Sequence, residues 1–256
     1  MQSKEENNEA ALRDLLSGYA AKYECPGFIE GDPSWFMHQV EGDANREATA
    51  FVAAGLSYGR RDIFLPKIAW ILNRAEGDVD SWLRSGEFEN DFHADDGNCF
   101  YRLYTFGHMH RFLAIYSSLL VEFGTLGAYV RDVAGARTGE GAVAAICRAF
   151  DERGGCAVVP KDTQSACKRV CMFLRWMARD GSPVDLGLWA DFIDKRTLII
   201  PLDTHVLQEA EKLGLIKSRT ASMSAARKLS ARLAGFFPDD PMKGDFALFG
   251  YGVNND

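Results

Sequence analysis

The chain has 256 residues, 47% of them hydrophobic and 12% aromatic, enough to bury a core in one large domain or two small lobes and too apolar for extended disorder. A formal net charge of −7 at pH 7 excludes a protein that coats nucleic acid along its whole surface, since phosphate neutralisation needs clustered Lys and Arg, but it leaves room for a local basic groove. No apolar run reaches the ~18 residues of a membrane span, and the polar start Met1 to Ala11 has no signal-peptide core, so a cytoplasmic protein is expected.

In chain order, residues 5 to 22 predict an amphipathic helix with Ala11, Leu12, Leu15, Leu16 and Tyr19 on one side, broken by Cys25-Pro26-Gly27. Asp32-Pro33 has the form of a cap and first helical residue, with Trp35, Phe36 and Val40 expected on the buried side. Asp43 is the expected cap of a helix carrying Ala44, Ala48, Phe51, Val52, Gly55 and Leu56, whose small residues permit close packing. A turn at Ser57-Tyr58-Gly59-Arg60-Arg61-Asp62 precedes a helix from Ile63 to Ala75. Gly77 to Asn98 is acidic and loop-rich, anchored by Trp82, Leu83, Phe88 and Phe92. Thr105 caps a long helix that Gly124 stops after Phe123. His108 and His110 in it are two residues apart and point to different sides, so they form no metal pair. Two further helices are predicted near 125–134 and 139–152. Later, Ser222 opens a helix through Ala234, and Asp240-Pro241 begins the last one. No strand series appears, and an all-α protein is expected.

Two segments carry the chemistry. In the first, Ala166, Val170, Phe173, Leu174 and Met177 recur at the spacing of a buried helical face, while Lys168, Met172, Arg175 and Arg179 form a second stripe. Asp162, Thr163 or Ser165 is the expected cap, which puts Lys168 in the first turns, where the helix dipole disfavours a cation. An amine that attacks carbon must be neutral, and an ordinary lysine is almost wholly protonated at pH 7. A solvated lysine on an outer helix face has the same spacing. In the second segment, Leu198-Ile199-Ile200 leads into Pro201-Leu202-Asp203-Thr204-His205-Val206, and Val206, Leu207, Ala210 and Leu213 form an apolar face ended by Gly214. Asp203 stands where an N-cap belongs. A capping carboxylate is rigidly aimed and kept ionised, so the structural role is compatible with stabilising a cation in a cleft.

Pro201-Leu202-Asp203-Thr204-His205 resembles the catalytic-aspartate motif of the helix-hairpin-helix DNA glycosylase (HhH-GPD) superfamily, and Ser165-Ala166-Cys167-Lys168-Arg169 falls where lyase-type members carry a nucleophilic lysine. The marks S-A-C-K-R, F-L-R-W-M, V-D-L-G-L-W, I-P-L-D-T-H-V and D-F-A-L-F-G make the whole chain similar to an uncharacterised bacterial family at the edge of that superfamily. The Lys168-to-Asp203 separation is similar to that of the archaeal 8-oxoguanine glycosylase branch, with residues 179–195 as added cleft-lining structure. The Lys168-to-Asp203 separation is longer than in most of the superfamily, and two further features depart from typical members. Thr163-Gln164-Ser165-Ala166 replaces a phosphate-holding Gly-x-Gly turn, and Tyr58 replaces the usual glutamine of a Leu-Ser-polar loop that enters DNA.

The resemblance implies two helical lobes around a cleft, within a single unit 1–256: one lobe of about 44–160, the other of about 1–43 plus 161–256. It implies a DNA base-excision glycosylase with AP-lyase activity, 8-oxoguanine being one candidate lesion. Lys168 is then the nucleophile and Asp203 its electrostatic partner. Tyr58, Arg60, Arg61, Ser165, Arg169, Arg175 and His205 would contact DNA, and Phe173, Trp176 and Trp189 would stack on the extruded base. At Tyr58 to Arg61 the bland alternative is a helix–helix turn with solvated arginines. No metal or organic cofactor is implied, and a monomer without membrane association is expected. The six cysteines, Cys25, Cys99, Cys147, Cys156, Cys167 and Cys171, contain no C-x-x-C and lack the iron–sulfur cluster spacing of some glycosylases, so they are expected to be mostly buried thiols in a reducing compartment. A non-catalytic nucleic-acid-binding or adaptor protein on the same fold, and a helical small-molecule enzyme using the same cleft, are the alternatives.

Overall fold

Capping and turn chemistry set most of the element boundaries in the structure, a computed structural model that describes residues 2–218 and 220–255, with the side chains of 2–5, 253 and 255 outside the description. Helix α1 (Gln2–Tyr23) ends ahead of Cys25-Pro26, where a 3-10 turn, Pro26–Phe28, redirects the chain. Asp32 accepts from the Ser34 amide at 3.0 Å and opens a second 3-10 stretch, Pro33–His38. Phe36 is buried there, but Trp35 is 40% exposed, against expectation. Successive residues of a 3-10 helix point about 120° apart, so the two rings do not share one buried side.

Helix α2 (Asp43–Leu56) has Gly42 rather than Asp43 at its N-cap, and Asp43 lies in the first turn, where the dipole favours an anion. Helix α3 (Arg61–Arg74) follows. The acidic stretch expected to be loop-rich contains α4 (Val79–Ser85) and a 3-10 turn, Glu87–Asn90. Asp78 caps α4 by accepting from the Ser81 amide at 3.0 Å, and Val79, Trp82 and Leu83 give this short helix one buried side. Strands β1 (Cys99–Tyr101) and β2 (Tyr104–Thr105) pair antiparallel as a small hairpin. Thr105 then caps α5 (Phe106–Phe123), accepting from the His108 amide at 3.1 Å, and Gly124 (φ 84°) stops it, as expected.

Helix α6 (Leu126–Ala128) runs into a π-turn, Tyr129–Val133, and α7 (Gly139–Glu152) starts on a Thr138 cap. Helices α8 (Lys168–Ala178), α9 (Thr204–Lys212), α10 (Met223–Ala234) and α11 (Lys243–Asn255) complete the chain. The described chain is thus mainly helical. No single helix among the described residues is long and apolar enough to cross a membrane.

Helix α2 is the hub. Every residue from Glu47 to Leu56 is buried, and the Phe51 ring meets those of Phe112, Tyr116, Phe150 and Phe173 at 4.6–5.7 Å. A Cβ on Gly55 would lie 3.0 Å from Val158 and 3.1 Å from Phe112, so the small residue there is what allows the close approach. Helix α2 packs on α3, α4 and α8, while α11 lies along α1 and against α9. One buried carboxylate sits in the hub. Glu47 accepts from the Leu126 amide at 2.7 Å, the Gly127 amide at 3.2 Å and the Trp189 indole at 2.8 Å. Burial outweighs those bonds and raises its carboxyl to about 7.

The second stripe is partly exposed at Lys168 and Met172 but buried at its other two residues. Arg175 and Arg179 are 5% and 1% exposed. Arg175 donates to Asp185 at 3.2 Å and also to Asp245, and Arg179 donates to Asp240 at 2.9 Å and also to Asp185 and Glu24. This network joins α8, the segment after it, the end of α1 and the start of α11. Asp185 is shared by both arginines, so Asp185→Ala should leave two buried cations under-compensated at a cost of about 3–5 kcal/mol. Thermal unfolding should show a fall of about 10 °C; a change within about 2 °C would mean that the network contributes little.

Candidate active site at the Lys168–Asp203 contact

The chain approaches Lys168 through a turn without a side-chain cap. Cys167 occupies the N-cap of α8 in a left-handed conformation (φ 47°), and none of Asp162, Thr163 and Ser165 caps the helix. Asp162 accepts instead from the Gln164 amide at 2.9 Å, inside the turn. Lys168 is therefore the first residue of α8. The positive φ that glycine ordinarily supplies falls here on Cys167, whose thiol reaches the Asp162 and Ser165 carbonyls at 3.4 Å. A hydrogen bond with Cys147 outweighs burial and, with one from Ser165, lowers the Cys167 thiol below its ordinary value. Of the six cysteines, all free, Cys147, Cys167 and Cys171 are buried, Cys25 and Cys156 are partly buried and Cys99 is exposed.

Asp203 caps α9, as expected, accepting from the Val206 amide at 2.9 Å. Its other oxygen lies 2.8 Å from Lys168 Nζ, and the two side chains are 36% and 35% exposed. Two residues far apart in sequence thus meet at the surface of a cleft. Burial favours the neutral Asp203 carboxyl, but the charge and hydrogen bond of Lys168, the Val206 amide and the charge of His205 together outweigh it and hold the group below the usual aspartate range.

Two cavities share this contact. The first, of about 390 Å³, is walled by the aromatic rings of Phe28, Phe64, Phe246 and Phe249 and by Asp32, Arg61, Glu209 and Asp245. The second, of about 580 Å³, is lined by Tyr58, Ser165, Cys167, Arg169 and Gln208 among others. Ser57, Gly59, Lys168, Asp203 and His205 border both. Tyr58, Ser165, Arg169 and His205 are thus gathered round the contact, as is Arg61, which is exposed, pairs with Asp32 at 3.3 Å and lies over the Phe249 ring. Arg60 is exposed and paired with Asp62, and it lines neither cavity. Arg169 donates to the Gly55 carbonyl at 2.8 Å and to the Tyr104 hydroxyl, so it braces α8 against α2 while facing the second cavity.

Besides Arg60, four expected site residues are placed otherwise. Arg175 reaches the wall of the first cavity, but its guanidinium is buried on Asp185 and Asp245, which leaves it no role as a phosphate contact. Phe173, Trp176 and Trp189 are 0%, 0% and 2% exposed and line neither cavity. Phe173 packs edge-on against Trp189 and Phe51, and Trp189 is committed to Glu47. Residues 179–195 also lie against the core rather than in the cleft: the Leu186, Gly187 and Trp189 amides bond to the last carbonyls of α8, and no residue of this segment lines either cavity. The aromatic wall comes from elsewhere. Phe246 and Phe249, three apart in the D-F-A-L-F-G mark, were readable as one helical face; Phe28, Phe64 and Glu209 carried no signal of a cavity. Glu209 is buried, with one oxygen 2.7 Å from Lys212 and the other without a partner among the described residues.

The lowered Asp203 group gives a signed prediction. Its stabilising contribution is complete above the ordinary aspartate value of about 3.9 and is lost as the pH falls through the lower value of the folded protein. Urea unfolding of wild type and Asp203→Asn should therefore show a stability gap that is constant from pH 7 down to about 4 and closes below it. A gap that narrows already between pH 7 and 5 would contradict the ion pair.

No curated protein and no solved structure gives a significant match to the chain. A family model described as "Protein of unknown function (DUF2400)" matches residues 32–254, a span that includes α2 to α10, both cavities' polar walls and the Lys168–Asp203 contact, and the chain belongs to that family.

Proposed function

We propose that the protein is a DNA base-excision glycosylase with lysine-dependent AP-lyase activity, built on a helix-hairpin-helix glycosylase-like arrangement of its helices. The observation that carries this reading is the 2.8 Å contact between Lys168 and Asp203 at the seam of two cavities, one of them walled by aromatic rings. An amine beside a carboxylate, in a cleft able to hold a flat ring, is the equipment that attack on a sugar's anomeric carbon requires.

In this mechanism an extruded nucleotide enters the cleft and separates the pair. The Lys168 ammonium passes a proton to the departing base, which takes the electron pair of the breaking C1′–N bond, and the freed amine forms the bond to C1′. Asp203 stabilises the positive charge that develops on the sugar. Opening of the sugar ring gives a Schiff base on Lys168. Loss of a proton from C2′ then expels the 3′-phosphate by β-elimination. Arg61, Arg169 and His205 border the cleft, where they would meet phosphates, and Tyr58 would occupy the space the nucleotide leaves. 8-Oxoguanine is the first lesion to test.

The acidic net charge and the absence of a Gly-x-Gly turn before Lys168 favour a second reading, a nucleic-acid-binding or adaptor protein without chemistry. Borohydride trapping separates the two. Duplexes carrying 8-oxoguanine, uracil or an abasic site should give a covalent adduct with wild type on at least one of them and none with Lys168→Ala. Asp203→Ala should slow adduct formation by on the order of a hundredfold. Absence of any adduct, or an adduct that survives Lys168→Ala, would remove the lyase proposal; salt-dependent duplex binding without base release would support the second reading.

A further inference from the structure

Four carboxyl groups border the first cavity. Asp32 is paired with Arg61, Asp203 with Lys168 and Asp245 with Arg175. Glu209 alone among them keeps a buried oxygen without a partner among the described residues: Oε1 lies 2.7 Å from Lys212 Nζ, and nothing meets Oε2. Its side chain is only 4% exposed. The placement follows from two helices. His205, Val206 and Glu209 recur at helical spacing and turn one face of α9 to the cavity. Gly252 of α11 makes room for the carboxyl, since a Cβ there would lie 3.3 Å from Glu209 Cγ.

A buried acceptor without a donor is costly, and a ligand that brings an N–H to it recovers the loss. The walls set the shape of that ligand. Phe28 packs edge-on against Phe246 and Phe249, 5.0 Å from each, so the rings that bound the cavity support one another, and a flat heterocycle suits such faces. Helix geometry sets its size. Glu209 lies six residues beyond Asp203, about 9 Å along the axis of α9. A base whose sugar stands at the Lys168–Asp203 contact therefore reaches Glu209 with the far edge of a two-ring purine, and a single pyrimidine ring falls short. That edge must carry donors: a carboxylate accepts and does not donate, and one oxygen has lone pairs for two N–H groups. We propose that Glu209 sets the specificity of the site by accepting from the N1–H and the 2-amino group of a 2-amino-6-oxopurine. Hypoxanthine lacks the second donor, and uracil lacks both the length and the amine. Selection then acts at the undamaged edge of the base rather than at the lesion. This rests on the glycosylase reading above for the position of the sugar, and it adds the class of base and the residue that chooses it.

The test compares single-turnover base release from duplexes that carry 8-oxoguanine or 8-oxohypoxanthine, identical save for the 2-amino group. Wild type should favour 8-oxoguanine by at least about a hundredfold. Glu209→Gln keeps the shape of the side chain, but Lys212 claims its amide oxygen, so its NH2 meets the two donors of the base. The preference should then fall to within about threefold. Each ratio is read within one protein, so a change in stability does not mimic it, and the wild-type preference needs no variant at all. Free bases give an arm without the chemistry: ligand-detected NMR should show 9-methylguanine binding to wild type, 9-methylhypoxanthine not binding, and neither binding to Glu209→Gln. Base release without preference between the two lesions, or a preference that survives Glu209→Gln, would overturn the role of Glu209 while the glycosylase reading stands. A wild type inert on both duplexes and on an abasic one, yet binding 9-methylguanine through Glu209, would remove the glycosylase reading and leave the site standing. A wild type that is inert on every duplex and binds neither free base removes both.

Discussion

The arrangement around the cleft depends on two arginines held inside the protein. Arg175 in the last turn of α8 and Arg179 at its C-cap bond to Asp185, Asp240, Asp245 and Glu24. Burying cations is costly unless partners and hydrogen bonds are complete, so the carboxylates must come to the arginines from wherever they lie in the chain. Three elements are thereby fixed to α8: the close of α1, the loop that wraps back after residue 179, and the start of α11. The last matters most for the cleft. Phe246 and Phe249 face the first cavity from α11, and Lys168 faces it from the other end of α8. The network sets the distance between that aromatic wall and the amine.

Asp203 shows how one side chain carries two electrostatic tasks. One oxygen accepts from the Val206 amide and ends the run of unpaired donors at the start of α9; the other is left for Lys168. The cap fixes the direction of the carboxylate without consuming it. A cap of a different kind, such as serine, would close the helix but present no charge to the amine.

Much of this was legible in the sequence because it is written locally. Thr105, Ser222 and Asp203 cap the helices they were expected to cap, Gly124 stops α5, and the small residues of α2 pack closely. The meeting of Lys168 and Asp203 was readable from the order of two motifs, not from periodicity. What was not legible depends on the third dimension. A stripe such as Lys168, Met172, Arg175 and Arg179 looks like a polar outer face, and only the arrival of four distant carboxylates buries its lower half. Trp176 and Trp189 have the chemistry of stacking side chains, but the sequence does not say that Glu47 and the α8 carbonyls claim Trp189 and its neighbours. Cys167 supplies a left-handed backbone in place of glycine, which no propensity argument would select.

Glu47 has an effect at the scale of the whole molecule. In the unfolded chain its acid ionises at the ordinary glutamate value of 4.5, but in the hub of α2 it holds its proton to about 7. This residue therefore favours the folded chain fully only below about 4.5, and its contribution declines as the pH rises from there and is gone above about 7. Deprotonation puts an anion at the clasp where α2, the first amides of α6 and the Trp189 indole converge. A rise towards neutral pH thus loosens the molecule at its centre, at a joint that lines neither cavity.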